Sequence, residues 1–364
     1  MKRILTTILS LTISLSAIAQ STIPLEKQAA KLLMIGVKGT TLNDKNPVIH
    51  DVVESGVSGI ILFEHNIEPV ESGIDSKARL TEFVTDLKGL RKEPILIAID
   101  QEGGKVNRMK SKYGFKEMLS HKEVGEANGN TLARTNGAII ASEVASVGIN
   151  VNFAPCVDVD INPACPVIGG VNRSFSADEN RVAELASIYV EEHHKKGVLT
   201  SVKHFPGHGN SIMDSHLGFT DITKSWQQKE LVPYRRLIES GLCDMVMVSH
   251  LYNSKFDDKY PATLSKPTID SLLRDVLGWR GVVVSDDMQM KAITDHYGFE
   301  QGVVLALNAG VDLFIISSNI REEDFSITDR FIKTVVDGVK SGEIDRKTVD
   351  QAAARVEKLL ERSF

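Results

Sequence analysis

Three short segments carry side chains able to move protons or attack carbon. The densest is Lys203-His204-Phe205-Pro206-Gly207-His208-Gly209, followed closely by Asp214-Ser215-His216. Its two glycines and its proline call for a loop of special backbone geometry, not a continued helix or strand. Asp214 and His216 stand two residues apart, so one local turn can bring carboxylate to imidazole, fixing the tautomer and raising the basicity of the ring. A solvated Asp–His pair on a surface loop meets the same spacing. A zinc site of His204, His208, Asp214 and His216 is a further reading, although the spacing matches no regular zinc motif. The second segment is Gly281-Val282-Val283-Val284-Ser285-Asp286-Asp287, an apolar run that ends directly in acid. With a cation such as Lys203 or Arg108 nearby, Asp286 stays ionised and can attack an electrophilic carbon, while Asp287 suits the N-cap of the segment that follows. The third, Ile99-Asp100-Gln101-Glu102-Gly103-Gly104, closes another apolar run in the same way.

What positions such groups is a set of eight apolar, β-branched runs: 32–37, 59–63, 95–100, 149–154, 199–204, 245–250, 281–286 and 311–316. Each is nearly uniformly apolar, as expected of parallel strands buried on both faces. Helical stretches separate most of them. Asp178 is the expected N-cap of one that closes at Gly197, and 131–146, 226–240, 300–308, 331–340 and 349–362 read as others. Eight buried strands alternating with helices imply an α/β fold, a single TIM-type (β/α)8 barrel. An open doubly wound sheet would usually open with a Gly-rich phosphate turn, which the first run lacks. In a barrel the catalytic groups project from the C-terminal ends of the strands, where Asp100, Asp158, Asp160, Lys203-His204, Ser249-His250 and Asp286 all fall. A ring of charges and imidazoles there is costly unless a polar ligand satisfies it.

Composition sets the class. The chain has 364 residues, 42% hydrophobic and 25% charged, with a net charge of −6. This excludes a disordered or collagen-like chain, and the mildly acidic balance argues against a nucleic-acid partner. Lys2 and Arg3 precede an apolar stretch ending in Ala17-Ile18-Ala19, the pattern of a cleaved signal peptide. Residues 1–19 are therefore expected to be leader and 20–364 the barrel, exported to the periplasm or secreted, with no membrane anchor after cleavage. Of three cysteines, Cys156 and Cys165 are close enough in sequence for a bridge, and three unpaired thiols is the preferred alternative.

Together these segments resemble the β-N-acetylhexosaminidases of glycoside hydrolase family 3, over essentially the whole mature chain. The motifs run in that family's order: Asp100-Gln101-Glu102-Gly103-Gly104, Arg173-Ser174-Phe175, the Lys203–Gly209 loop, Asp214-Ser215-His216 and Ser285-Asp286-Asp287. Lys105 and Ser176 depart from it, where Arg and Gly are common. The resemblance implies that Asp286 is the nucleophile and His216 the acid/base, with Asp214 orienting His216. It sets Asp100, Arg108, Lys203 and His204 around the terminal sugar ring and Arg173 at its N-acetyl end. The implied activity is that of a retaining exo-β-N-acetylglucosaminidase using a covalent glycosyl-Asp intermediate, with peptidoglycan fragments (muropeptides) or chitin-type oligosaccharides as substrates. Neither metal nor organic cofactor is expected, and a monomer is the default. The alternatives are another family 3 glycosidase of β-glucosidase type, a zinc-dependent hydrolase using the His-rich loop, or a sugar-binding barrel without catalysis.

Overall fold

A computed structural model describes residues 23–68, 75–127, 129–213, 218–317 and 327–363. The expected leader 1–19, Asp214 and His216 lie outside the described residues. Each of the eight apolar runs contains a strand: β1 (Leu33–Gly36), β2 (Gly59–Leu62), β3 (Leu96–Ile99), β4 (Val151–Asn152), β5 (Leu199–Phe205), β6 (Met245–Val248), β7 (Val282–Ser285) and β8 (Phe314–Ile316). They form one sheet in the order β8-β1-β2-β3-β4-β5-β6-β7, every pairing parallel. A parallel bridge between Val284 of β7 and Leu313, just before β8, joins the two ends of this order and closes the barrel.

Side-chain alternation sorts the apolar residues into two layers, because successive residues of a strand face opposite sides. Met34, Ile61, Ala98, Val151, Met245, Val284 and Ile315 fill the barrel interior. Leu33, Ile35, Ile60, Leu62, Ile97 and Ile99 face outward into the layer shared with the helices. Helices Ser76–Gly89, Thr131–Ser146, Glu179–His194, Val232–Glu239, Phe299–Ala309 and Ile327–Ser341 cover that layer. The Asp178 carboxylate caps the third of these by accepting the Asn180 N–H (2.9 Å), and Gly197 takes a positive φ just beyond its end. The last helix, Arg346–Leu360, sends Val356, Leu359 and Leu360 into the interior layer. Asn150, at the start of β4, donates to the Ser363 carbonyl (3.1 Å), so the chain end seals the N-terminal side of the barrel.

Two strands fill only half of their apolar runs or less. β4 stops before Pro155, which has no N–H to offer a ladder. β8 begins only at Phe314 because the buried Asp312 carboxylate accepts the Val283 N–H (2.9 Å) in place of a backbone carbonyl. A small parallel ladder, Thr220–Asp221 with Leu251–Tyr252, was not legible in the sequence.

Candidate active site

At the mouth, β3 and β5 deliver opposite charges to one point. Lys203 Nζ lies 2.6 Å from Asp100 Oδ1 and 2.8 Å from Glu102 Oε1. Arg173 reaches the same Glu102 as a fork, Nε to Oε2 at 2.9 Å and Nη2 to Oε1 at 2.8 Å. Glu102 is 1% exposed and Lys203 2%. Burial alone would raise the Glu102 carboxyl, but the charges of Arg173 and Lys203 outweigh it and hold the group well below its usual range. Burial likewise works against the Lys203 ammonium, and Asp100 and Glu102 overcome it. Two buried cations therefore stay charged and aimed at the mouth.

His204 sits between this cluster and Asp158. Its Nδ1–H donates to Asp158 Oδ2 (2.6 Å), while Arg173 Nη2 donates to its Nε2 (3.0 Å). That pattern assigns the proton to Nδ1. Asp158 also accepts the Cys156 thiol (3.1 Å) and the His208 N–H (2.7 Å). Burial opposes its ionisation; the His204 imidazole and these donors prevail and keep the carboxyl low.

Asp286 leaves β7 beside this cluster. Its N–H donates to the Val248 carbonyl (3.0 Å), and its Oδ1 accepts the Asp287 N–H (2.8 Å), which orients the carboxylate. Asp287 is tied to β8: its carboxylate accepts the Ser317 hydroxyl, the Ser317 N–H and the Gln289 N–H. Burial pushes Asp287 up to about 6. Its bonds thus go to Gln289 and Ser317, so it ties two strand exits together in addition to turning the chain after β7.

Asp100, Arg108, Arg173, Lys203, His204 and Asp286 line one cavity of about 310 Å³, with Phe63, Met290 and Ile315 among its apolar walls. That is the small end of ligand pockets, roughly 300–1,000 Å³, and suits a single polar ring. Gln101 holds the Arg108 segment by accepting the N–H groups of Arg108 (2.9 Å) and Met109 (3.0 Å). Six of the eight expected site residues therefore converge. Glu102 and Asp158, legible at strand exits but outside that set of eight, hold Lys203, Arg173 and His204 in place. The signal was present: a buried Lys and Arg require carboxylate partners, and both acids stand at strand exits.

The His-rich loop does not present zinc ligands to a common point among the described residues. Both His204 nitrogens are engaged, and His208 Nδ1 is bonded to the Ser211 hydroxyl (2.9 Å). Cys156, Asp158 and His204 do place donor atoms within 4.8 Å of one another. Protons already join them, and the Arg173 guanidinium beside His204 repels a divalent cation. Cys156, Cys165 and Cys243 are all free and buried, so the expectation of unpaired thiols holds.

Residues 24–359 match the family model described as the glycosyl hydrolase family 3 N-terminal domain. A protein of Tolumonas auensis named beta-hexosaminidase is 33% identical over 294 residues, covering 79% of this chain and 83% of that protein. A family 3 beta-N-acetylglucosaminidase structure from Paenibacillus superposes with a TM-score of 0.85 at 33% identity, over 94% of this chain and 63% of that one. A beta-N-acetylhexosaminidase structure from Beutenbergia cavernae gives 0.82 at 27% identity, over 93% and 99%.

Proposed function

Because the chain belongs to the glycosyl hydrolase family 3 N-terminal domain family, we propose that it is a retaining exo-β-N-acetylglucosaminidase. It is a glycoside hydrolase of the β-N-acetylhexosaminidase class. The finer reading is that it removes terminal β-linked N-acetylglucosamine from peptidoglycan fragments or chitin-type oligosaccharides. One observation carries this reading: a carboxylate, Asp286, shares a ring-sized cavity with two fixed cations, a carboxylate and an oriented imidazole.

In this reading the sugar enters with its hydroxyls on Asp100, Lys203, His204 and Arg108, and its acetamido group toward Arg173. Asp286 attacks C1 and His216, held by Asp214, protonates the departing oxygen. Water activated by the then-neutral His216 releases the sugar. Retaining enzymes normally pair two carboxyl groups about 5–5.5 Å apart. An imidazole does the acid's work here, and with an unperturbed pKa of about 6.5 it is already suited to neutral pH. General acid catalysis of this kind contributes roughly 10²–10⁴-fold.

No helix among the described residues is long and apolar enough to cross a membrane. Cleavage after Ala19 and export, with residues 20–364 forming the catalytic barrel, complete the proposal. The test is N-acetylglucosamine release by wild type, Asp286→Ala and His216→Ala on p-nitrophenyl sugars with and without the 2-acetamido group. Near-complete loss in Asp286→Ala and preference for the acetamido substrate are expected. An active Asp286→Ala variant, or equal turnover of the glucoside, overturns it.

A further inference from the structure

Two buried carboxyl groups hold consecutive peptide N–H groups of one loop. Asp158 Oδ1 accepts the His208 N–H (2.7 Å), and Glu230 Oε2 accepts the Gly209 N–H (3.0 Å). Glu230 is 1% exposed and is the third residue of the helical turn Gln228–Leu231 before Val232–Glu239, where its Oε1 accepts the Gln227 N–H (3.5 Å). The loop is shaped to receive it. Gly207 has φ +122°, and a Cβ there would come within 2.5 Å of the Glu230 Cβ; a Cβ on Gly209 would come within 1.8 Å of the Val159 carbonyl oxygen. Trp226 Nε1 holds the Pro206 carbonyl (3.0 Å), and Asn162 holds those of Gly209 (3.2 Å) and Ser211 (3.0 Å). The chain is thus pinned from Pro206 to Ser211, three residues before Asp214. Glu230 does not line the sugar cavity.

We propose that Glu230 is a positioning residue for the acid/base. With Asp158 it grips the stem from which the chain runs to Asp214 and His216, and so sets how well a proton reaches the leaving group. This rests on the reading of His216 as the acid. Two ionised carboxylates side by side would repel. Burial, and then the Asp158 charge, push Glu230 up to about 8, so at neutral pH it is largely uncharged and glutamine is its near-isostere.

The experiment compares kcat/KM on chitobiose, whose leaving group needs a proton, with 2,4-dinitrophenyl β-N-acetylglucosaminide, whose leaving group does not. This parameter reports only steps through glycosylation, so the base role of His216 does not enter. The ratio of the two is taken on one preparation, so a smaller folded fraction cancels. Glu230→Ala is expected to lose about 10²-fold on chitobiose and less than about 3-fold on the dinitrophenyl substrate, with Glu230→Gln close to wild type on both. Uniform loss on both substrates, with a selective loss in His216→Ala, overturns the positioning role alone. Uniform loss in His216→Ala as well overturns the assignment of the acid, and this inference with it.

Discussion

Replacing Glu102 by glutamine keeps the side-chain shape and removes the charge that two buried cations share. In the native site Arg173 makes two bonds to it and Lys203 one, and its own exposure is 1%. In Glu102→Gln, Lys203 keeps Asp100 as a charged partner, and Arg173 is left with neutral ones, the Val167 carbonyl, His204 and the amide oxygen. Removing one partner of a buried ion pair costs about 3–5 kcal/mol, because the surviving charge stays in a low-dielectric site. With an unfolding entropy of roughly 2.1 cal/mol/K per residue, a barrel of this length should melt about 4–7 °C lower. In the proposed reaction the stranded cations grip the sugar, so kcat/KM should fall about 10²-fold. Asp100→Asn, which replaces a less buried charge by a neutral acceptor, should cost about 1.5–3 kcal/mol, or roughly 2–4 °C. The sign with pH follows from the direction of the shift. A carboxyl held below its ordinary value of 4.5 contributes stability that is full above that value and lost as pH falls through the folded value. The gap between wild type and Glu102→Gln should therefore be constant from neutral to mildly acidic pH and close only in strong acid. Calorimetry across pH and steady-state kinetics measure both. A Glu102→Gln protein that melts and turns over like wild type refutes the claim that Glu102 holds the two cations.

Glu230 titrates in the opposite sense. Raised from 4.5 to about 8, it contributes stability that is full below 4.5 and lost as pH rises through 8, up to about 5 kcal/mol. Denaturant titrations should show wild type weakening between pH 5 and 9 more than Glu230→Gln; parallel profiles contradict this. Burial pushes the Cys156 and Cys243 thiols well up, and all three cysteines are buried. A thiol reagent should therefore find none in the native protein within minutes and three after unfolding. Neither half of the proposed reaction needs a metal, so EDTA should leave the rate unchanged. Inhibition reversed by zinc would return the His-rich loop to a metal role.

The barrel was legible because strands buried on both faces are written as unbroken apolar runs, and all eight runs contain one. Their exits were legible for a related reason: an acid or lysine at the end of such a run has no structural cause. Sequence order does not state which charge satisfies which. Glu102 and Asp158 belong to β3 and β4 exits, yet their partners come from 71 residues away in the case of Arg173 and 46 in the case of His204. Glu230 was illegible because Gln227-Gln228-Lys229-Glu230 reads as a solvated helix start. Its packing against Gly207 and Gly209 removes it from water. The short ladder of Thr220–Asp221 with Leu251–Tyr252 left no trace either, since two residues hold too little periodicity to detect.

In the proposed reaction the Asp286 carboxylate bonds to C1 of the amino sugar. Incubation with a 5-fluoro-N-acetylglucosaminyl fluoride, followed by proteolysis and mass spectrometry, tests it most directly. A single glycosyl adduct on Asp286, lost on standing as the enzyme turns over, is expected. An adduct on any other side chain, or turnover of the analogue to the α-anomer as first product, contradicts it.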